Sequence, residues 1–524
     1  MTGADLLVHS LHAAGVRVLF GMPGSHTVAI YDAIERHGGI RTVLMRNEQA
    51  AAFAADGYAR VTGRPGVVCT TAGPGATNAL TGVAEAWADS MPVLLLTGQV
   101  NHDRLHEECG NYHEIDLESI LRPCTKYVGT VMANEQIPAM VANAWRALTA
   151  GRPRPAALIL PQDLMASPAA AAPIQLDSAN PRPPLPERAI NEAVRLLAEA
   201  KHPVILAGGG AVWADAAAEI RRLAERLDCP VVTSLNAKGI LDEREPHALG
   251  HARSMRGRVA TSHADVMLAL GCRFTEVMTG FRKMQVPDRL IQIDLNPGEI
   301  GMNYPARVGI VADAKDALQA ILARLPAQTS SDWRDLWPSA RAAARPKPEW
   351  LIDTLRAELP DDAVVFTDAS EMAYRMHTDY PAYLPRSFFY PSNYIALGWG
   401  FPAAVGAAVA LPDRVVVSFS GDGGFVMTCQ ELATAARYRL RMIILVHNDS
   451  AYGAIKHLQR IKCEGRYHDT DLNNPDFRLL ADAFGVANQR VHDASTFRAA
   501  LRDALAHSVP YLIEIPDEWR YLRH

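Results

Sequence analysis

No run of about 18 apolar residues, the length a helix needs to cross a bilayer, occurs in this sequence of 524 residues, and its first residues lack a basic patch followed by an unbroken apolar core. Neither membrane insertion nor export is expected. Cysteine is scarce: seven residues, Cys69, Cys109, Cys124, Cys229, Cys272, Cys429 and Cys463, are scattered, odd in number and never spaced Cys-x-x-Cys. That pattern argues against a disulfide framework or a thiolate zinc site and suits a reducing cytoplasm. There is no long Lys/Arg run, and 52 basic against 57 acidic residues leave a net charge of −5, so nucleic acid is not an expected partner. Apolar residues at 49% and charged ones at 21% are the proportions of a globular chain, and a small-molecule enzyme is the class left standing.

A mass of 57.0 kDa suits about three domains. Two stretches poor in pattern and rich in Pro, Ala and Ser, Ser167–Arg188 and Pro326–Pro348, divide the chain into blocks 1–166, 189–325 and 349–524. Helix-period segments such as Ala4–Ala14 alternate with short apolar runs: Val67–Thr70 and Pro92–Thr97, then Val204–Ala207, Val231–Thr233, Val266–Leu270 and Leu290–Ile293, then Ala363–Thr367, Val415–Ser418 and Met442–Val446. This is the rhythm of βαβ units, and it predicts an α/β chain of three doubly wound parallel-sheet domains. The first and third blocks share an outline that suggests a duplicated fold. Ligands of open parallel sheets sit beyond the carboxyl ends of the strands, which directs attention to the loops after Phe20, Thr70, Thr97, Ser420 and Val446.

The most informative segment is Ser418–Gly453. An apolar strand runs into Gly421-Asp422-Gly423-Gly424, a helix carries Gln430-Glu431-Leu432, and a second strand ends at Asn448-Asp449-Ser450-Ala451-Tyr452-Gly453. Flanking glycines let backbone approach a phosphate, and two acids at two strand ends can offer hard oxygen ligands to a Mg²⁺ bridging a diphosphate. An Asp-Gly turn in an ordinary βαβ unit is the bland alternative. The spacing resembles the cofactor motif of the thiamine-diphosphate-dependent superfamily that includes acetolactate synthase, benzoylformate decarboxylase and benzaldehyde lyase. The resemblance implies Asp422, Asp449 and the Ala451 carbonyl as Mg²⁺ ligands, with Gly421, Gly423, Gly424, Tyr452 and Gly453 around the diphosphate. Most members carry Asn where Asp449 stands, so the site here has one more negative charge.

A second match lies at Arg46-Asn47-Glu48-Gln49-Ala50, followed by Ala55-Asp56-Gly57-Tyr58-Ala59-Arg60 and Thr71-Ala72-Gly73-Pro74-Gly75-Ala76-Thr77-Asn78. Alone, Glu48 reads as an N-terminal helix carboxylate. In context the run looks like the family's pyrimidine-binding domain, whose glutamate bonds N1′ of the aminopyrimidine so that the 4′-nitrogen can take the C2 proton. Gly73 and Asn78 belong to the same implied cofactor face. Asn393–Ala404 takes the place of the clamp that holds the cofactor bent, with Leu397 as the wedge and the Ile395 carbonyl on the amino group.

The middle block also resembles the family's central domain, through Gly208-Gly209-Gly210, Gly271-Cys272-Arg273-Phe274 and Asp294-Leu295-Asn296-Pro297. Relatives bind FAD, ADP or nothing there. No Gly-Met-His-Gly is found and His251-Ala252-Arg253 stands nearby, so no required nucleotide, FAD included, is expected.

The implied substrate pocket comprises Ser25, His26, Tyr112, His113, Leu397 and Leu458. His26 falls where benzaldehyde lyase has a pocket histidine, and His113 replaces the Gln of a Phe-Gln-Glu in acetolactate synthases. Glu48, His26 and His113 are the expected catalytic set, the two histidines moving protons. Leu458 replaces the tryptophan with which biosynthetic acetolactate synthases choose their second substrate, and the sequence ends at His524 without their longer tail, so branched-chain biosynthesis is not expected. The resulting expectation is a cytoplasmic homodimer or homotetramer, with the cofactor held between the first domain of one subunit and the third of another. It would decarboxylate a 2-oxo acid and ligate the acyl-anion equivalent to a carbonyl acceptor. Acetolactate synthase itself, a flavin-dependent 2-oxo acid oxidase and a catalytically silent regulatory paralogue stand as alternatives.

Overall fold

A computed structural model describes residues 1–105, 107, 110–170, 172, 182–327, 331–343 and 349–516. Cys109, much of both Pro/Ala-rich dividers and the end at His524 lie outside the described residues. The six described cysteines are free thiols. Among the described residues no helix is long and apolar enough to cross a membrane.

Three six-stranded parallel sheets carry the chain. The first comprises β1 (Val18–Gly21), β2 (Arg41–Leu44), β3 (Gly66–Thr70), β4 (Val93–Gln99), β5 (Tyr127–Thr130) and β6 (Ala156–Pro161), in the order β2-β1-β3-β4-β6-β5. The second comprises β7 (Pro203–Ala207), β8 (Val231–Thr233), β9 (Ala248–His251), β10 (Val266–Leu270), β11 (Arg289–Asp294) and β12 (Val308–Val311), ordered β12-β11-β10-β7-β8-β9. The third comprises β13 (Val364–Thr367), β14 (Phe388–Phe389), β15 (Val416–Gly421), β16 (Met442–Asn448), β17 (Ala487–Arg490) and β18 (Tyr511–Pro516), ordered β14-β13-β15-β16-β18-β17. Counted within each sheet, the first and third orders are the same, 2-1-3-4-6-5, as a duplicated fold requires.

The central strands β3, β4, β7, β10 and β13 are buried along their whole length, which is why they read in the sequence as unbroken apolar runs. One stretch departs from expectation. Residues 332–342, inside the second pattern-poor divider, form a short 3₁₀ turn and a helix whose Trp333 is fully buried in the central core, its Nε1 donating to the Pro203 carbonyl at 2.7 Å. Alanines and arginines around two tryptophans conceal the pattern there.

The central domain has a core of its own, whereas apolar residues of the first and third sheets merge into one cluster. At its middle the helix Glu48–Thr62 crosses the helix Gly400–Ala410. Two glycines permit the crossing: a Cβ on Gly57 would lie 2.0 Å from the Ala403 carbonyl oxygen, and one on Gly406 would lie 1.8 Å from that of Ala54. Neither obstacle is a side chain that can swing away, so the helices would have to separate. Gly406→Ala is expected to cost about 1–3 kcal/mol as overpacking and to lower the thermal unfolding midpoint despite the better helix propensity of alanine. A midpoint equal to or above the parent's in a calorimetric scan would refute the backbone-contact account.

Candidate active site

Glu48 opens its helix because Asn47 caps it, the Asn47 side chain accepting from the amides of Gln49 at 2.8 Å and Ala50 at 3.4 Å. The strand before it, β2, is an edge strand, and its approach to Glu48 is fixed from the third domain. Leu44 N–H donates to the Tyr438 hydroxyl at 2.8 Å, Thr434 donates to the Leu44 carbonyl at 3.1 Å, and Arg46 N–H donates to Glu431 at 3.0 Å. Glu431, part of the Gln430-Glu431-Leu432 run, is fully buried, and burial pushes its carboxyl up to about 7. Glu48 is itself buried and receives a hydrogen bond from Asn78 Nδ2 at 3.1 Å.

Around Glu48 gather the loops after β1, β3 and β4. His26 is buried, and its Nδ1 lies 3.2 Å from the Ser25 hydroxyl and 3.3 Å from that of Thr71. The Tyr112 backbone also accepts from the ring. Burial, with the nearby His113, holds the His26 pKa below the ordinary histidine value. His26, Tyr112 and His113 form a stack, with centroids 5.7 Å (His26–Tyr112), 5.4 Å (His26–His113) and 3.8 Å (Tyr112–His113) apart. His113 adopts φ 67°, and its backbone presses on Gly73, whose own φ is 54° and whose Cβ would meet the His113 carbonyl oxygen at 2.7 Å. The His113 Nδ1 is buried with no partner among the described residues. The expected first-domain residues Ser25, His26, Glu48, Gly73, Asn78, Tyr112 and His113 thus stand together.

The third-domain residues form a second group. Asp422 opens a short helix at the end of β15 and Asp449 follows the end of the adjacent β16, so the two carboxyls act on each other's ionisation. Burial and then the charge of Asp422 push Asp449 up to about 7, and burial raises Asp422 as well. Two acids that oppose each other's ionisation form a donor set that a divalent cation relieves. At Gly453, which starts the next helix, a Cβ would lie 2.3 Å from Asp449 Oδ2 and force that carboxyl to turn; at Gly423 a Cβ would meet the Tyr452 ring at 2.6 Å. Ala451 bridges to Asp471, with its own N–H donating to Asp449 at 3.2 Å. Gly424 lies against Leu397, its would-be Cβ 3.2 Å from Leu397 Cδ1, and Gly421 lies against Ser370 at 3.1 Å. Ile395 holds φ 60°, a conformation costing a β-branched residue on the order of 1–3 kcal/mol. Such strain marks a place where the backbone has been set for a purpose. Leu458 stands on the helix that Gly453 begins and is 43% exposed.

Two residues escaped the sequence reading. Asn474 donates to Asp422 at 2.6 Å and to Asn448 at 3.0 Å, tying the two strand ends together. Asp368, at the end of β13, is fully buried, accepts from Gly398 N–H at 2.9 Å, and is pushed up to about 7 by burial. An acid directly after a buried strand was a signal for Asp368; Asn474, in a Pro-containing loop 52 residues from Asp422, gave none.

Family models agree with this geometry. Residues 1–120 match the N-terminal TPP binding domain of thiamine pyrophosphate enzymes, 190–321 their central domain and 368–515 their C-terminal TPP binding domain. A probable acetolactate synthase large subunit of Methanocaldococcus jannaschii is 36% identical, covering 98% of this chain and 92% of its own length. A probable 2-ketoarginine decarboxylase of Pseudomonas aeruginosa is 34% identical over 98% and 94% of the two chains. The acetolactate synthase isozyme 3 large subunit of Escherichia coli is 33% identical over 96% and 92%. The chain belongs to the thiamine pyrophosphate enzyme family, and it is a thiamine-diphosphate-dependent enzyme of the acetolactate synthase type.

Proposed function

We propose that this enzyme decarboxylates a 2-oxo acid and ligates the acyl fragment to a second carbonyl compound, with Mg²⁺ holding the cofactor's diphosphate. The observation that carries this reading is the presence, in one chain, of both the Asn78-braced Glu48 and the mutually opposed Asp422 and Asp449 above the glycine start of the 453–462 helix. Asp422, Asp449 and the Ala451 carbonyl would ligand the metal, and Gly421, Gly423, Gly424, Tyr452 and Gly453 would surround the diphosphate. Leu397 and the strained Ile395 would hold the cofactor bent. The cofactor supplies an electron sink for the carbanion left by CO₂ loss. Glu48 would hold a proton at the pyrimidine, while His26 and His113 would move protons at the substrate oxygens.

The hydrogen bonds of Glu48 run to Asn78 and those of Asp422 to Asn474, each within its own group, which supports reading each group as half of a site. Val426, Met427, Ile455, Leu458 and Ile461 leave apolar surface exposed beside the third-domain half. A second copy covering that surface, with its Glu48 set against this Asp422, would complete the site, giving a homodimer or a homotetramer acting in the cytoplasm.

The acceptor should enter on the Leu458 side, where the smaller side chain leaves room. Cationic 2-oxo acids belong in any substrate panel because one relative is named for 2-ketoarginine. A second reading, flavin-dependent oxidation of the same acids, is favoured by one observation: a cavity of about 390 Å³ beside the central sheet, lined by Gly209, Gly210, Cys272, Arg273 and Asp294. Flavin absorbance in the purified enzyme together with O₂ consumption during turnover would establish that reading in place of ligation.

Three outcomes test the main reading. Chelation should remove cofactor and activity together, with Asp422→Ala binding thiamine diphosphate at least about tenfold more weakly and Asp449→Asn retaining it; calorimetric titration showing parent affinity in Asp422→Ala sinks the metal assignment. Glu48→Gln should slow C2–H exchange of the bound cofactor by about 10²-fold or more, read by NMR, and exchange at the parent rate removes Glu48 from the role. Across a panel of 2-oxo acids with aldehyde acceptors, Leu458→Trp should depress ligated product more than CO₂ release, while His113→Ala depresses both. Aldehyde and CO₂ alone at high acceptor concentration would leave a plain decarboxylase.

A further inference from the structure

We propose that Thr71 and His26 act as one proton relay, in which the Thr71 hydroxyl, rather than the imidazole, is the group presented to the substrate. The proposal rests on the thiamine-diphosphate reading above and goes beyond it, since family resemblance pointed only to the histidine.

Four observations carry it. His26 is 3% exposed, its Nδ1 faces the hydroxyls of Ser25 at 3.2 Å and Thr71 at 3.3 Å, and the Tyr112 backbone accepts from the ring. With the proton of the neutral ring on Nε2, Nδ1 is the acceptor and the hydroxyls are its donors. Thr71, unlike His26, is only half-buried. Its methyl lies on the same side as the pyrimidine acid: a Cβ on Gly75 would be 2.9 Å from Thr71 Cγ2 and 3.5 Å from Glu48 Oε1. The pair also occupies space cleared by two glycines, since a Cβ on Gly24 would lie 2.4 Å from Thr71 Cβ and one on Gly98 would lie 2.6 Å from His26 Cβ. Removing bulk on both sides lets two residues 45 positions apart meet.

In the relay, the carbinol hydroxyl of the ligated product passes its proton to Thr71 Oγ1 while the Thr71 proton passes to His26 Nδ1. The product oxygen takes the electron pair of its O–H bond, and His26 becomes an imidazolium already bonded to the Tyr112 backbone. The reverse movement protonates a new alkoxide, so the relay serves both directions of ligation without a net change in the protein. Burial that holds His26 neutral keeps Nδ1 ready to accept.

The test uses the holoenzyme with thiamine diphosphate and Mg²⁺, and the 2-oxo acid and acceptor that give product in the panel. Thr71→Val keeps shape and removes the hydroxyl. It should lower kcat by about 10- to 100-fold, leave KM for the 2-oxo acid within about twofold, and abolish the limb of the pH–rate profile set by His26. Thr71→Ser should restore both rate and limb. His26→Gln should lose as much as Thr71→Val, and the double variant no more than either alone, because the two act as a unit. Parent kcat and pH profile in Thr71→Val overturn the relay, as do losses that multiply in the double variant. C2–H exchange of the bound cofactor should stay at the parent rate in all these variants. Absence of that exchange in the parent enzyme would instead overturn the thiamine-diphosphate reading beneath the proposal.

Discussion

A guanidinium with no access to water, that of Arg60, sits where the first and third domains meet, and the geometry of the candidate site hangs from it. Its Nε donates to Asp56 at 3.1 Å and its Nη2 to Asp89 at 2.9 Å, and all three side chains are fully buried. Asp56 also takes the Trp399 indole at 2.7 Å, at the start of the 400–410 helix. Asp89 takes the Ser392 amide at 3.0 Å and hydroxyl at 2.9 Å, with Asn393 beside it at 2.5 Å. Four residues further back on the same helix, Glu85 accepts the Ala396 amide at 2.9 Å, its own carboxyl pushed well above the usual range by burial and by Asp89. Burying these charges costs solvation that their pairing only partly restores, so the network adds little net stability. Its contribution is position: the segment 392–396 has one register against the first domain.

That register explains how the strain at Ile395 is held. A β-branched residue at φ 60° relaxes unless its neighbours prevent it, and here Ser392 and Asn393 are tied on one side and Ala396 on the other. Helix Pro74–Asp89 supplies these ties through Glu85 and Asp89 and braces Glu48 through Asn78. Residues 78, 85 and 89 recur at spacings of seven and four, which places them along one face of the helix. One rigid element therefore fixes both Glu48 and the 392–396 segment of its chain. In the two-copy arrangement proposed above, Glu48 would serve one site and that segment the other, and the helix would couple them.

How much of this was legible in the sequence depends on how local the signal is. Asp422 and Asp449 stood out in the sequence because each follows an apolar strand beside glycines, and Glu48 because it opens a helix directly after one. The three sheets were legible because buried parallel strands leave unbroken apolar runs. Asn474, Glu85 and the pairing of Thr71 with His26 were not, since each depends on a contact made only after the loops at the carboxyl ends converge. Trp333 hid for a different reason: with Trp337 it anchors a segment whose remaining residues obey no helical or strand period. Glu431 lies between these cases, visible as part of a motif but silent about its task of holding the Arg46 amide from the far domain.

Symmetry between the first and third sheets makes the difference in their chemistry more informative. Both follow the same strand order, so loops at equivalent places were available for either task. The third sheet places Asp422 and Asp449 after adjacent strands β15 and β16, where neither acid can ionise without raising the other, and such a pair is suited to a cation and the anion it carries. The first sheet places a single acid, Glu48, after its edge strand, with a neutral amide as partner and hydroxyls and a neutral imidazole along the neighbouring loops. Protons can move among such groups without a large change in local charge. Two rims of the same strand order thus differ in electrostatics, one carrying paired acids suited to holding a cation and the other a single acid among neutral groups suited to moving protons.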